Sequence, residues 1–154
     1  MKLRILAVGN KAPSWIKDGY AEFAKRFPPD MKLELCEIAP SKHRGDPQKF
    51  KADEASRIEA RIGKGDWLVA LDEGGRTTTS VELGAKMDQW RMQPGNVAFL
   101  IGGSDGLAPE LLQRANERLS LSALTLPHYL VRVVLAEALY RAFSISMNHP
   151  YHRA

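Results

Sequence analysis

The residues of this 154-residue chain best suited to chemistry gather near its end, where positions 148–153 read NHPYHR directly after a long apolar run. Chain ends are ordinarily the least constrained part of a domain, so a terminus bearing Tyr151, His152 and Arg153 reads as recruited for function. A histidine can take a proton near neutral pH, an arginine can hold a developing anion or a phosphate, and a tyrosine can stack on a planar base. Other constellations are weaker. His149 and His152 form an H-x-x-H pair, but Pro150 between them breaks the helical spacing that zinc ligation would use. Asp72 and Glu73 are adjacent acids with no further ligand types at matching spacing, which favours turn and capping roles over a metal. The single Cys36, in the alternating stretch LELCEI, excludes a disulfide framework and reads as a buried thiol.

A second cluster is the run Gly102-Gly103-Ser104-Asp105-Gly106, which follows the apolar stretch NVAFLI. Glycines allow close backbone approach, so this loop is suited either to wrapping a planar or phosphorylated ligand or simply to a tight strand-to-helix turn. Dinucleotide-binding folds place their glycine run after the first strand, where this chain has only Gly9-Asn10-Lys11, and no Walker lysine follows the glycines here. Charge points to a polyanion. Residues 1–64 hold 14 of the 22 Lys and Arg but only 9 of the 18 acids. Helix surfaces are often Lys-rich for solubility alone, but Lys42, His43, Arg44, Lys49 and Lys51 lie in or beside a loop broken by Gly and Pro, where cations can reach RNA.

The elements that must position these residues alternate regularly. Apolar patterning predicts strands over 2–8, 32–38, 66–71, 96–101 and, more weakly, 120–124. Helices are expected over 13–26, 47–62, 79–92, from Pro109, and over 128–147. Thr79 and Glu82 fit a capping box, and Pro109 suits a first helical position. With 44% hydrophobic residues the chain is long enough for one domain, 1–154, with a core of its own. The expected fold is α/β: a mostly parallel sheet of about five strands with helices on both faces, ligands binding beyond the carboxyl ends of the strands. In the last helix, Val131, Val134, Leu135, Ala138, Leu139 and Ala142 make the core stripe. Val133, Tyr140, Phe143 and Ile145 lie largely outside it and call for cover, from this chain or from a symmetric partner, so a homodimer is expected. Glu137 and Arg141 are spaced for a surface ion pair, the bland alternative to a functional Arg141. His128 has the same two readings, helix start or function. The opening MKLRILAVG is too short in apolar residues for a signal peptide or membrane span, so a cytoplasmic protein is expected.

Taken together, KLRILAVG, LDEGGR, LIGGSDGL, LSLSALTLPHYLVRVVLAEALYRA and NHPYHR resemble the RlmH family of ribosomal RNA large subunit methyltransferases, members of the SPOUT superfamily. The likeness runs in order through essentially the whole chain. It implies a SPOUT-type α/β fold with a C-terminal trefoil knot, which periodicity alone does not suggest, and a homodimer. It also implies an S-adenosylmethionine site at Leu71, Gly102 and the run Leu121, Ser122, Ala123, Leu124, Thr125 and Leu126. The implied reaction methylates N3 of a pseudouridine in a hairpin loop of 23S rRNA within the assembled ribosome, without a metal. Tyr151, His152, Arg153 and Arg141 are the residues expected to place and activate the base. The loop 41–47 is short and Ser104-Asp105 stands where relatives often carry Pro-Glu. Two other classes are open on sequence grounds: a non-catalytic RNA-binding or ribosome-assembly factor of the same fold, and a flavodoxin-like or receiver-type domain, which lacks its acidic pair after the first strand.

Overall fold

The computed structural model describes residues 1–43 and 45–152, so Arg44 of the basic loop and Arg153 lie outside the described residues. Five strands form one sheet in the order β2-β1-β4-β3-β5, where β1 is Leu3–Val8, β2 Leu33–Ile38, β3 Trp67–Thr77, β4 Val97–Ile101 and β5 Glu117–Ser120. Every pairing is parallel. Parallel strands require crossovers, and the connections carry helices α1 (Ser14–Ala24), α2 (Pro47–Glu59), α3 (Ser80–Arg91) and α4 (Pro109–Arg114), with α5 (Leu130–Ser146) after the last strand. A short 3₁₀ turn at Pro29–Met31 leads into β2.

Alternation along the central strands sends side chains to opposite faces, and each face has its own core. Leu3, Ile5, Ala7, Val97, Phe99 and Ile101 pack with α3 and α5 residues such as Leu83, Met87, Trp90, Leu135 and Leu139, with α1 closing the layer through Tyr20 and Phe23. Leu6, Val8, Ala98 and Leu100 face the other way, onto Ala55 and Ile58 of α2 and Leu111 of α4. The helix starts follow their sequence signals. Asp46 caps α2 by accepting from the Gln48 amide at 3.0 Å, and at α3 Thr79 Oγ1 accepts from the Glu82 amide at 3.1 Å while Glu82 reaches back to the Thr79 amide.

Several boundaries differ from the sequence expectation, for identifiable reasons. The fifth strand is Glu117–Ser120, not 120–124. The alternating Leu residues of LSLSALTL imitate a strand, whereas the charged Glu117 belongs to one because Trp67 Nε1 and Trp90 Nε1 both donate to its carboxylate, at 2.6 and 3.1 Å, and Lys86 pairs with it. The third strand runs on to Thr77 through a bulge: Leu71 and Arg76 both register with Leu119, so Asp72, Glu73, Gly74 and Gly75 are thrown out of the ladder. Helix α5 starts at Leu130 rather than 128, because His128 Nε2 donates to the Val8 carbonyl at 2.7 Å and Tyr129 Oη accepts from the Lys11 amide at 3.0 Å. Its buried residues are Arg132, Leu135, Ala136, Leu139, Tyr140, Ala142 and Ser144. Val131, Val134 and Ala138 are only partly buried, so the apolar stripe is rotated from the one expected. Of the four residues expected to need cover, Tyr140 is buried against Phe27 and Phe143, while Val133, which meets Gly19 of α1, Ile145, which meets Gly84 of α3, and Phe143 are half-buried within the chain. Cys36 is half-buried rather than buried, accepting from Arg61 Nη1 at 3.4 Å.

Candidate active site

Beyond the carboxyl ends of β3, β4 and β5 lies an open cavity of about 490 Å³. Its size falls in the range of small-molecule and cofactor sites. Three stretches build it: Leu71 with Asp72 and Glu73 from the bulge, the loop from Ile101 to Leu107, and the irregular run from Leu119 to Leu126, with His128 and Val131 at the start of α5. The sheet order explains the convergence, since β4, β3 and β5 are consecutive neighbours and their ends share one edge.

The glycine loop is folded tightly upon itself. A Cβ on Gly102 would overlap the Gly106 carbonyl and approach the Leu107 amide to 2.7 Å, so only glycine fits there. The turn is closed by the Gly106 amide donating to the Gly103 carbonyl at 3.0 Å. Glu54 of α2 lies against Gly103 and also accepts from the Ser41 amide at 3.0 Å, so one carboxylate ties the glycine loop to the basic loop beginning at residue 40. Nothing in the sequence singled out Glu54. The run from Leu121 is shaped by serines: Ser120 Oγ donates to the Ser122 carbonyl at 3.0 Å and Ser122 Oγ accepts from the Leu124 amide at 2.9 Å. These bonds hold the backbone out of the sheet and turn Leu121, Leu124 and Leu126 into walls. Leu124 remains 75% exposed, an apolar side chain at the rim. Ala123 is exposed and is not part of the wall. Of the eight expected cofactor residues, seven therefore meet at one cavity.

The expected base-activating residues lie elsewhere. Tyr151 and His152 do not line this cavity. His152 folds back on α5 at Ser144, 13 residues beyond Val131 and roughly 20 Å along the helix, whereas the Tyr151 hydroxyl reaches Glu137, six residues and roughly 9 Å beyond Val131. Tyr151 Oη donates to Glu137 Oε1 at 3.0 Å, and Arg141 donates to the same oxygen through Nε and Nη2, at 2.9 and 2.6 Å. Arg141 thus makes the expected ion pair and also lies over the Tyr151 ring, 5.0 Å from its centroid. Burial, then the hydrogen bond to Glu137, pushes the Tyr151 hydroxyl above its ordinary range, so it stays a protonated donor. The bond to Glu137 likewise raises Arg141 further.

His152 Nδ1 lies 3.0 Å from Ser144 Oγ. That hydroxyl has one proton, which it gives to the His149 carbonyl at 2.9 Å. A carbonyl can only accept, so the ring donates through Nδ1–H, and Nε2 is left with its lone pair available. His149 is engaged differently, its Nδ1 accepting from the Tyr151 amide at 3.2 Å. Among the described residues no group of three His, Cys, Asp or Glu converges, and no helix is long and apolar enough to cross a membrane.

A parallel sheet with a cavity built from a glycine loop and an irregular run at three strand ends is the architecture of an α/β protein that binds a small ligand beyond its strand ends, and comparison identifies the family. The family model described as "Predicted SPOUT methyltransferase" matches residues 1–152. The chain belongs to the SPOUT methyltransferase family. Among similar proteins, one from Burkholderia lata, named Ribosomal RNA large subunit methyltransferase H, is 52% identical over 156 residues, all of both chains. One of the same name from Ralstonia pickettii is 50% identical over 155 residues, 99% of each. Among solved structures, a probable methylase family protein from Haemophilus influenzae Rd KW20 covers 99% of this chain and 70% of its own at a TM-score of 0.56. At 15% identity it speaks for the fold alone.

Proposed function

We propose that the protein transfers a methyl group from S-adenosylmethionine to N3 of a pseudouridine in a hairpin loop of 23S rRNA within the assembled ribosome, acting in the cytoplasm as a homodimer. The observation that carries this is the cavity at the ends of β3, β4 and β5, whose walls coincide with the family's cofactor segments. The fit is chemical as well as spatial. Leu71, Leu121, Leu124 and Leu126 offer apolar surface to an adenine, the backbone of 121–126 offers amides and carbonyls to its edge, and Gly102 and Gly103 leave room for the ribose and methionine parts. Bound S-adenosylmethionine supplies a sulfonium-activated methyl group, whose bond to sulfur breaks with the electron pair staying on sulfur as the bond to N3 forms. Alignment, exclusion of water and removal of the N3 proton are left to the protein. His152 Nε2, with its lone pair free, accepts that proton. Tyr151 stacks on or bonds the base, and Arg141 holds Tyr151 in place; Arg153, outside the described residues, is assigned the developing anion or a phosphate.

The separation of tail and cavity within one chain supports a shared site, in which the tail of one subunit reaches the cavity of its partner. A C-terminal trefoil knot belongs to the same proposal and would be the reason 121–126 is irregular. The decisive experiment incubates ribosomes and free rRNA separately with enzyme and cofactor and reads the mass of rRNA fragments. One added methyl on a single fragment, from ribosomes and not from free rRNA, is expected. Calorimetric binding of S-adenosylmethionine with no methylation of either substrate would overturn the assignment.

A further inference from the structure

Two residues of α2 grip the backbone where the chain leaves β2. Arg57 Nη1 donates to the Ala39 and Pro40 carbonyls, at 2.8 and 2.9 Å, while its Nη2 pairs with Asp53 at 3.1 Å. Glu54, one turn earlier on the same helix face, accepts from the first amide after Pro40, that of Ser41, at 3.0 Å. The Glu54 carboxylate has a second neighbour. It rests on Gly103, where a Cβ would come within 2.8 Å of Oε1, and Gly103 lines the cofactor cavity. The start of the basic loop and the glycine loop are thus kept apart by a single carboxylate. Beyond the grip the chain turns on Ser41, whose Oγ accepts from the His43 amide at 3.2 Å, and presents Lys42 and His43 to solvent. The nearest acids along the chain are engaged: Asp46 caps α2, Asp53 pairs with Arg57, and Glu54 holds Ser41. Lys42 makes no ion pair among the described residues. Its charge is open to a polyanion that reaches the edge of the cavity.

We propose that Glu54 is a positioning residue for the RNA: its carboxylate sets the loop bearing Lys42 against the glycine loop, so that Lys42 meets an rRNA phosphate as the target base enters the cavity. Naming rRNA rests on the methyltransferase reading; the grip on the loop does not. Glu54 itself does not line the cavity, so its effect falls on where the RNA sits. The glycine turn is closed by its own bond, from the Gly106 amide to the Gly103 carbonyl at 3.0 Å, and the cofactor wall stands without Glu54.

The test uses assembled ribosomes and the full-length protein, with binding read by co-sedimentation and methylation measured on the same samples. Glu54→Ala should weaken ribosome binding about fivefold, the size of one lost hydrogen bond, and leave S-adenosylmethionine affinity in calorimetry unchanged. Glu54→Gln, whose amide oxygen still accepts from Ser41, should restore binding. Lys42→Ala should weaken binding and lower the slope of log affinity against log salt by about one, the signature of one lost phosphate contact. Added to Glu54→Ala, Lys42→Ala should cost little more, because a lysine on a released loop no longer stands at its phosphate. If Glu54→Ala does not fold, Glu54→Asp, one methylene shorter, takes its place in this cycle. Single effects that simply multiply in the double variant overturn the positioning role. So does a Glu54→Ala protein that melts lower yet binds ribosomes as wild type does, since that glutamate serves stability alone. An unchanged salt slope in Lys42→Ala overturns the phosphate contact. Ribosome binding that shows the coupling without any methyl transfer by wild type removes the methyltransferase reading and keeps the role of Glu54.

Discussion

Ser144 decides which face of His152 is available. Because its single proton goes to the His149 carbonyl, the imidazole must donate through Nδ1, and the proton-accepting nitrogen is the one that points away from the helix. On the proposed mechanism, Ser144→Ala should lower methyl transfer about tenfold, the effect of losing one orienting hydrogen bond, while Ser144→Thr restores it. His152→Ala should cost roughly 10²–10⁴-fold in single turnover, the usual range for a general base. An unaltered rate in His152→Ala would remove His152 from the mechanism. Gly102 is the corresponding point in the cavity. Its missing Cβ makes room for the Gly106 carbonyl, so Gly102→Ala must open the loop at a cost of about 1–3 kcal/mol. Calorimetry should show S-adenosylmethionine affinity down by tenfold or more, with the far-ultraviolet dichroism of the fold retained.

At the scale of elements, β5 is fastened to β3 and α3 by Glu117. Burial alone would raise its carboxyl, but the hydrogen bonds from Lys86, Trp67 and Trp90 together hold it below the ordinary range. A carboxyl lowered by folding contributes stability above its unfolded value, near pH 4.3 for Glu, and that contribution is lost as pH falls through the lowered folded value. Thermal melts across the acid range should therefore show a loss of stability in wild type that is shallower in Glu117→Gln, which starts less stable at neutral pH. Equal pH dependence of the two proteins would contradict the role given to Glu117. The same element was misplaced by pattern reading. A strand holding Glu and Arg, next to a leucine-rich run that does not belong to the sheet, inverts the usual signal; the tryptophans that make the glutamate acceptable come from β3 and α3, far away in sequence.

At the scale of the whole molecule, the feature to be explained is the distance between the cavity at the start of α5 and the tail folded on its far half. A single subunit holds His152 away from the cavity, and the proposed dimer, with each tail serving its partner's cavity, would close the gap. Mixed dimers of a Gly102→Ala chain with a chain lacking 149–154, assayed at S-adenosylmethionine too dilute to fill the Gly102→Ala cavity, should methylate faster than either parent, because one of the two composite sites is intact. Recovery no better than the parents alone would return both functions to a single subunit. The sequence argument for a partner helix carries less here, since Tyr140 is buried within the chain while Val133, Phe143 and Ile145 are half-buried against α1, α3 and their own neighbours.

What the amino-acid order determined by itself is what local rules can carry. Periodicity and capping residues dictated five strands, five helices and their alternation, and parallel pairing followed because each connection contains a helix. Glycines after an apolar strand, and a tail of Tyr and His, marked the two candidate clusters. Only the tertiary structure decided the rest. It extended β3 through a bulge, moved β5 upstream, rotated the buried face of α5, and brought Glu54 to the glycine loop and Arg132 to the ends of β1 and β2. Each of these depends on partners distant in the chain, and a buried charge such as Arg132 reads as a surface residue until Glu37 and the Gly9 carbonyl are seen beside it.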